Sequence, residues 1–233
     1  MGQELNGGAV SLAFDDGWKC TYDNALPLLD QRGIPSTHYI ITKYLHEPQD
    51  EYVDIDAVHA IARRGHEIGC HTVSHRHLPK ESDDTIQREV DLSLETLQQL
   101  SLQVRTFCYP FGEYDKRVIN AVRSAGFHGA RSIIRGYNHR HTNPYLLVTH
   151  LMGLGTHLSK VKTWVSRARA ENSWLILTFH EIKNDGRYLS VPPAVLEQIL
   201  EHLVAEKMRT VTVAEGLDLI HSRELNASVT GSV

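Results

Sequence analysis

The chain is poor in sulfur and in large aromatics, with 3 Cys, 3 Met and 3 Trp among 233 residues. Cys20, Cys70 and Cys108 are odd in number and widely spaced, with no Cys-x-x-Cys. That excludes a disulfide framework and a thiolate metal site, and three small buried thiols are expected. No apolar run approaches the ~18 residues of a membrane span; the longest, Trp174 to Phe179, has strand length. The opening Met1-Gly2-Gln3-Glu4-Leu5-Asn6 lacks the basic and apolar blocks of a signal peptide. Asn6 also stands where a myristoylation signal needs Ser or Thr. As given, the chain reads as a soluble cytoplasmic domain, or as a secreted or cell-envelope one if a further segment precedes it. A basic excess is missing too. With 24 Lys+Arg against 28 Asp+Glu the net charge is -4, which gives no reason to expect a nucleic-acid partner.

What is abundant is histidine, at 15 residues. Histidine is the commonest metal ligand and the usual acid or base near neutral pH, so its placement is the first thing to decode. The 41% hydrophobic fraction excludes a disordered chain, and 22% charge excludes a coiled coil. The length suits one domain with a full core.

Short apolar runs alternate with amphipathic stretches. Strands are expected at Ala9–Phe14, Thr37–Ile41, Glu67–Cys70, Phe107–Tyr109, Gly129–Ile133, Tyr145–Met152, Trp174–Phe179 and Arg209–Val211. Between them, helical spacing covers Tyr22–Arg32, Ile55–Ala62, Ile86–Leu100, Val118–Ala125, Ser159–Ala170 and Val195–Ala205. Thr212-Val213-Ala214-Glu215 is a capping box for a last helix. The alternation implies an α/β fold with a parallel sheet, open or closed into a barrel. The expected division is an N-terminal extension over 1–7, a catalytic domain over 8–224 and a frayed tail over 225–233. In either form of the fold, the active site lies beyond the C-terminal ends of the strands.

Polar groups do gather at those ends. The first strand ends in Phe14-Asp15-Asp16-Gly17, two adjacent carboxylates whose repulsion a bound cation would relieve. The third ends in His71-Thr72-Val73-Ser74-His75-Arg76-His77-Leu78. His71 and His75, four apart, can face one way, and with one carboxylate they make a three-ligand metal set with open positions. His77 is surplus and reads as a loop residue. The fourth strand ends in Tyr109-Pro110-Phe111-Gly112, a turn whose backbone N–H groups can meet an oxyanion. Leu177-Thr178-Phe179-His180 puts an imidazole at the mouth of an apolar strand, where it can act as a general acid.

These segments, in this order, resemble the polysaccharide deacetylases, the NodB-type enzymes of carbohydrate esterase family four, over roughly residues 8 to 220. The resemblance implies a distorted (β/α) barrel and metal-assisted removal of N-linked acetyl groups from glycans containing N-acetylglucosamine, such as peptidoglycan or chitin-like polymers. It implies that Asp16, His71 and His75 bind one divalent ion, Zn²⁺ first, with Co²⁺ or Ni²⁺ as alternatives. Asp15 would be the base acting on a metal-activated water. Phe111 would offer its N–H to the oxyanion beside Tyr109 and Pro110, His180 would protonate the leaving amine, and Leu177 would line the acetyl-methyl pocket.

Two departures accompany the resemblance. The family's usual Arg two residues before the Pro is Cys108 here, which leaves the tether of Asp15 open. An Asp-x-x-Asp-Trp motif is missing, its place reading Ala130-Arg131-Ser132-Ile133, so the partner of His180 is open, with Glu181 and Asp185 merely near in sequence. Competing expectations are an O-deacetylase acting on acetylxylan, a non-catalytic glycan-binding relative, and an iron(II) oxygenase. The last uses a different ligand order on a jelly roll, and a non-catalytic relative should lack Asp15 or His180. His38, inside the second strand, is expected to have a packing or supporting role. Oligomeric state is open.

Overall fold

A computed structural model describes residues 5–47 and 49–221. The expected tail over 225–233, and the first four residues of the expected extension, lie outside the described residues.

Seven parallel strands close into a barrel in sequence order. They are β1 (Ala9–Phe14), β2 (Thr37–Ile40), β3 (Glu67–Cys70), β4 (Thr106–Cys108), β5 (Gly129–Arg135), β6 (Leu147–Leu151) and β7 (Trp174–Phe179). Closure is made by β1 on β7, paired without a break from Ala9↔Trp174 to Phe14↔Phe179. The helices are α1 (Lys19–Arg32), α2 (Lys43–His46), α3 (Ile55–Arg63), α4 (Asp83–Gln99), α5 (Lys116–Ser124), α6 (Leu158–Ala170), α7 (Pro193–Ala205) and α8 (Val213–His221). Asp54, Ser82 and Asp115 start α3, α4 and α5 by accepting bonds from otherwise unpaired backbone N–H groups.

The expected strand Arg209–Val211 shrinks to one bridge, Val10↔Thr210. Val10 donates to the Arg209 carbonyl and accepts from the Val211 N–H. Further along, β1 already pairs with β2 through Ala13↔Thr37. The segment therefore enters the barrel only at its base and turns into α8, through the capping box between Thr212 and Glu215. A further pair of two-residue strands, β8 (Glu181–Ile182) and β9 (Ser190–Val191), follows β7.

Period-2 alternation sorts each strand. In β7, Trp174 and Ile176 join the barrel interior with Ala9, Ala13, Tyr39, Cys108 and Leu147. Leu175, Leu177 and Phe179 instead face a layer shared with α1, α6 and α7. Helix α8 plugs the base, with Val213, Leu217 and Ile220 in the interior cluster. Gly216 lies so close to Trp174 that an added Cβ would sit 2.2 Å from its ring. The base is thus closed by apolar packing, and the opposite end is left for chemistry. No helix among the described residues is long and apolar enough to cross a membrane.

Candidate active site

The turn after β1 separates the two adjacent carboxylates. Asp16 adopts φ 72° and Gly17 φ 76°, left-handed conformations that swing the side chain of Asp16 away from that of Asp15. Asp15, only 2% exposed, points into the barrel. Asp16 points to the loop after β3. Trp18 donates its indole N–H to Oδ2 of Asp16 at 3.0 Å. That leaves Oδ1 buried with no hydrogen-bond partner, 3.3 Å from Nε2 of His71 and 3.5 Å from Nε2 of His75.

The ring of His71 and the loop that carries His75 are both held in place. Nδ1 of His71 lies 2.8 Å from the Cys108 carbonyl, so it carries the proton and Nε2 faces Asp16. The His75 N–H donates to Oγ1 of Thr72, and Glu89 of α4 accepts two bonds from Ser74, pinning the loop. Burial and the charge of His71 push the pKa of His75 down to about 4, leaving it a neutral ligand. Burial would raise the pKa of Asp16, but the imidazole of His71 close to its Oδ1, with His180 and His75 beyond, holds it well below the usual carboxylate range. Burial likewise opposes charge on His71, yet Cys108 and Asp16 outweigh it and raise its pKa.

These residues fit a divalent ion. Tetrahedral bonds of about 2.0–2.1 Å place ligand atoms roughly 3.3–3.5 Å apart, which is the spacing of Asp16 Oδ1 from the His71 and His75 nitrogens, and all three ligand atoms lie within 4.8 Å of one another. A second cluster, Asp15, His71 and Cys108, is also close enough. There the guanidinium of Arg131 lies 2.9 Å from the Cys108 sulfur and already supplies the positive charge, so the Asp16 set is the better fit.

Arg131 is the functional side chain that sequence reasoning missed. It is fully buried on β5, and its Nη2 donates to Oδ1 of Asp15. Cys108 and Arg131 are register partners on β4 and β5, both facing the interior. The guanidinium that the family pattern places at position 108 thus arrives from the neighbouring strand, and the tether of Asp15 is accounted for. The signal was a lone Arg in a strand-like run, which cannot be buried without a carboxylate.

The other site expectations divide. His180 places Nε2 3.9 Å from Oδ2 of Asp15, while its Nδ1 has no partner among the described residues. Neither Glu181 nor Asp185 serves it, since both engage Lys183 and Arg187. Phe111 sits beside the ligands at φ 57°, edge-on to His75 at 4.4 Å and stacked on His77 at 3.9 Å. His77 lies in the loop, as expected, and its Nδ1 is 2.8 Å from Glu113. Pro110 is buried in the same turn. Tyr109 turns its ring into the cluster under α4 and α5 and donates its hydroxyl to the Tyr145 carbonyl. Leu177 packs outward with Leu12, Val165 and Leu200, so by strand parity it is Thr178, not Leu177, that faces the barrel interior. Of the three thiols expected to be buried, Cys70 and Cys108 are, and Cys20 is half-buried.

Of the two roles expected of His38, packing is what its contacts show. It stacks on Phe14 at 5.0 Å and ends a buried chain in which Ser36 Oγ meets His38 Nε2 and His66 Nδ1, and His66 Nε2 meets Asp30. Beside Asp16, a groove of about 580 Å³ opens past Trp18 and Tyr52, which stack at 4.6 Å, toward Lys183 and Arg187.

Comparison with known proteins agrees with this geometry. A family model described as polysaccharide deacetylase matches residues 2–130. A peptidoglycan-N-acetylglucosamine deacetylase of Bacillus cereus is 32% identical over 110 residues, which are 46% of this chain and 38% of that protein. The chain spans less than half the length of the curated relatives it matches. Among solved structures, a Mycobacterium smegmatis protein assigned to the polysaccharide deacetylases superposes with TM-score 0.69 at 15% identity, over 94% of this chain and 92% of that one. The Xyl-CE4 domain of a multidomain xylanase from the hindgut metagenome of Trinervitermes trinervoides gives TM-score 0.62 at 17% identity, over 91% and 90%. With the family model matched over more than half of its length and the same barrel found over nearly all of it, the chain belongs to the polysaccharide deacetylases, the NodB-type carbohydrate esterases of family four.

Proposed function

We propose that this deacetylase is metal-dependent and removes N-linked acetyl groups from glycans containing N-acetylglucosamine, of peptidoglycan or chitin-like type. The observation that carries the reading is the unpartnered Oδ1 of Asp16 facing two imidazole nitrogens, with a second carboxylate and a third imidazole beside them. A divalent ion held by Asp16, His71 and His75 would supply Lewis-acid polarisation and charge compensation at the acetyl carbonyl.

The remaining chemistry falls to this chain's own groups. Arg131 compensates the buried charge of Asp15 at Oδ1, and Oδ2, met by the long contact of the Cys108 thiol at 3.8 Å, would take the proton of the attacking water. Water oxygen bonds to the acetyl carbon, the carbon–nitrogen bond breaks, and His180 delivers a proton to the departing amine. Acetate and a free amino sugar result. The backbone N–H of Phe111, in a left-handed turn whose ring lies against His75, would be the oxyanion donor. The stacked Trp18 and Tyr52 give the adjoining groove an apolar face for a sugar ring.

The name of the Bacillus cereus relative supports N-deacetylation. The experiment is acetate release from peptidoglycan, chitooligosaccharides and acetylxylan, with and without chelator. Release from the N-acetylated polymers that chelation abolishes and added divalent ion restores is the expected result. Release confined to acetylxylan would make the protein an O-deacetylase.

A further inference from the structure

A second groove, of about 370 Å³, opens beside the loop between β8 and β9. Its walls come from the end of β5, from the 151–156 loop after β6 and from the loop between β8 and β9. It adjoins the catalytic mouth on two sides. Ile133 packs directly on Gly112, the residue after Phe111. Met152 donates its N–H to the Thr178 carbonyl, two residues before His180. A polymer held at the site would have this groove as a continuation.

The lining is distinctive in two ways. Ile133, Leu154 and Tyr188 are 44%, 63% and 74% exposed, although large apolar side chains are usually covered. The charged lining residues are Arg135 and Lys160, with no carboxylate among them. Neither has an acidic partner among the described residues. Arg135 is braced 6.0 Å from the Trp164 ring, and Lys160 leans on the Gly155 carbonyl. A purely cationic groove stands out in a chain of net charge -4. The groove on the Trp18 side, by contrast, mixes Lys19, Lys183 and Arg187 with Asp23, Asp50 and Glu51.

We infer that the Arg135–Lys160 groove is a subsite for a carboxylate-bearing sugar residue of the glycan being deacetylated. Tyr188, Leu154 and Ile133 contact the faces of the sugar, and the two cations meet its carboxylate. The inference rests on the deacetylase reading and narrows its substrate to an acidic glycan.

The test uses two tetrasaccharides of alternating N-acetylglucosamine and N-acetylmuramic acid, one with free lactyl carboxylates and one methyl-esterified, which differ only in charge. Acetate release, and separately binding by calorimetry, are measured for the parent protein and for Arg135→Gln/Lys160→Gln. The free acid should be favoured roughly tenfold in both measurements, the scale of two solvent-facing ion pairs. The double variant should bring that ratio close to unity, and so should raising salt from about 0.05 to 0.5 M in the parent protein. A ratio of one in the parent, or an unchanged ratio in the variant, overturns the inference. Equal acetate release from both substrates removes the groove and leaves the deacetylase standing. Preferential binding of the acid with no acetate release from any substrate keeps the groove and removes the deacetylase.

Discussion

Replacing Arg131 by Met tests how Asp15 is held. Arg131 is fully buried and Asp15 is 2% exposed, so the carboxylate left behind cannot turn to water. Removing one partner of a buried pair costs about 3–5 kcal/mol. That is a large share of the roughly 5–15 kcal/mol that holds a domain together. At about 2–4 °C per kcal/mol for a chain of this size, the melting temperature should fall by roughly 6–20 °C. Asp15→Asn/Arg131→Met, which removes both charges, should recover most of that loss and none of the activity. The register pairing of Cys108 with Arg131 supplies a more demanding version. In Cys108→Arg/Arg131→Ala the guanidinium starts from β4 and reaches the same carboxylate. It should be more stable and more active than Arg131→Ala alone, by about tenfold or more in kcat. The assays are urea unfolding and acetate release. If Arg131→Met unfolds at the parent's urea midpoint, or the swapped variant is no better than Arg131→Ala, the tether has been misassigned.

Three further predictions follow from the described contacts. Burial, with His66 adding to it, pushes the pKa of His38 down to about 3. The unfolded chain therefore takes up a proton that the folded one refuses, so this contribution is complete above about pH 6.5 and is lost as pH falls toward 3. His38→Gln should flatten the slope of unfolding free energy against pH in that window by up to about 1.4 kcal/mol per unit; an unchanged slope would assign acid lability elsewhere. Gly216→Ala forces a methyl group against Trp174 and should cost about 1–3 kcal/mol in denaturant unfolding without changing KM. His77→Ala removes the ring stacked on Phe111 and should lower kcat severalfold, while His77→Phe, which keeps the stack, should restore it. Equal activity in the two His77 variants would mean the stack is incidental.

Most of the architecture is legible in the sequence because buried parallel strands are short, mainly apolar runs separated by amphipathic helices. What escapes detection has a physical cause in each instance. Strands β8 and β9, two residues each, carry no periodicity. Arg209–Val211 has the composition of a strand, but β2 occupies the place beside β1 that it would need. In the site, the ligand cluster is legible because Asp15-Asp16 and His71…His75 are local patterns at strand ends. The pairing of Asp15 with Arg131 spans 116 positions and belongs to no short motif. The resemblance implies substrate-side roles for Leu177 and Tyr109, whereas alternation along β7 turns Leu177 outward and Tyr109, just past β4, packs into the cluster under α4 and α5.

The division of labour between the adjacent carboxylates is the central claim, and Asp15→Asn tests it most directly. Asparagine keeps the size of the side chain but cannot take a proton from water, and it leaves Asp16, His71 and His75 in place. Zn²⁺ binding by calorimetry should persist, while acetate release should fall by about 10²–10⁴-fold. Undiminished acetate release with Zn²⁺ bound would contradict the account.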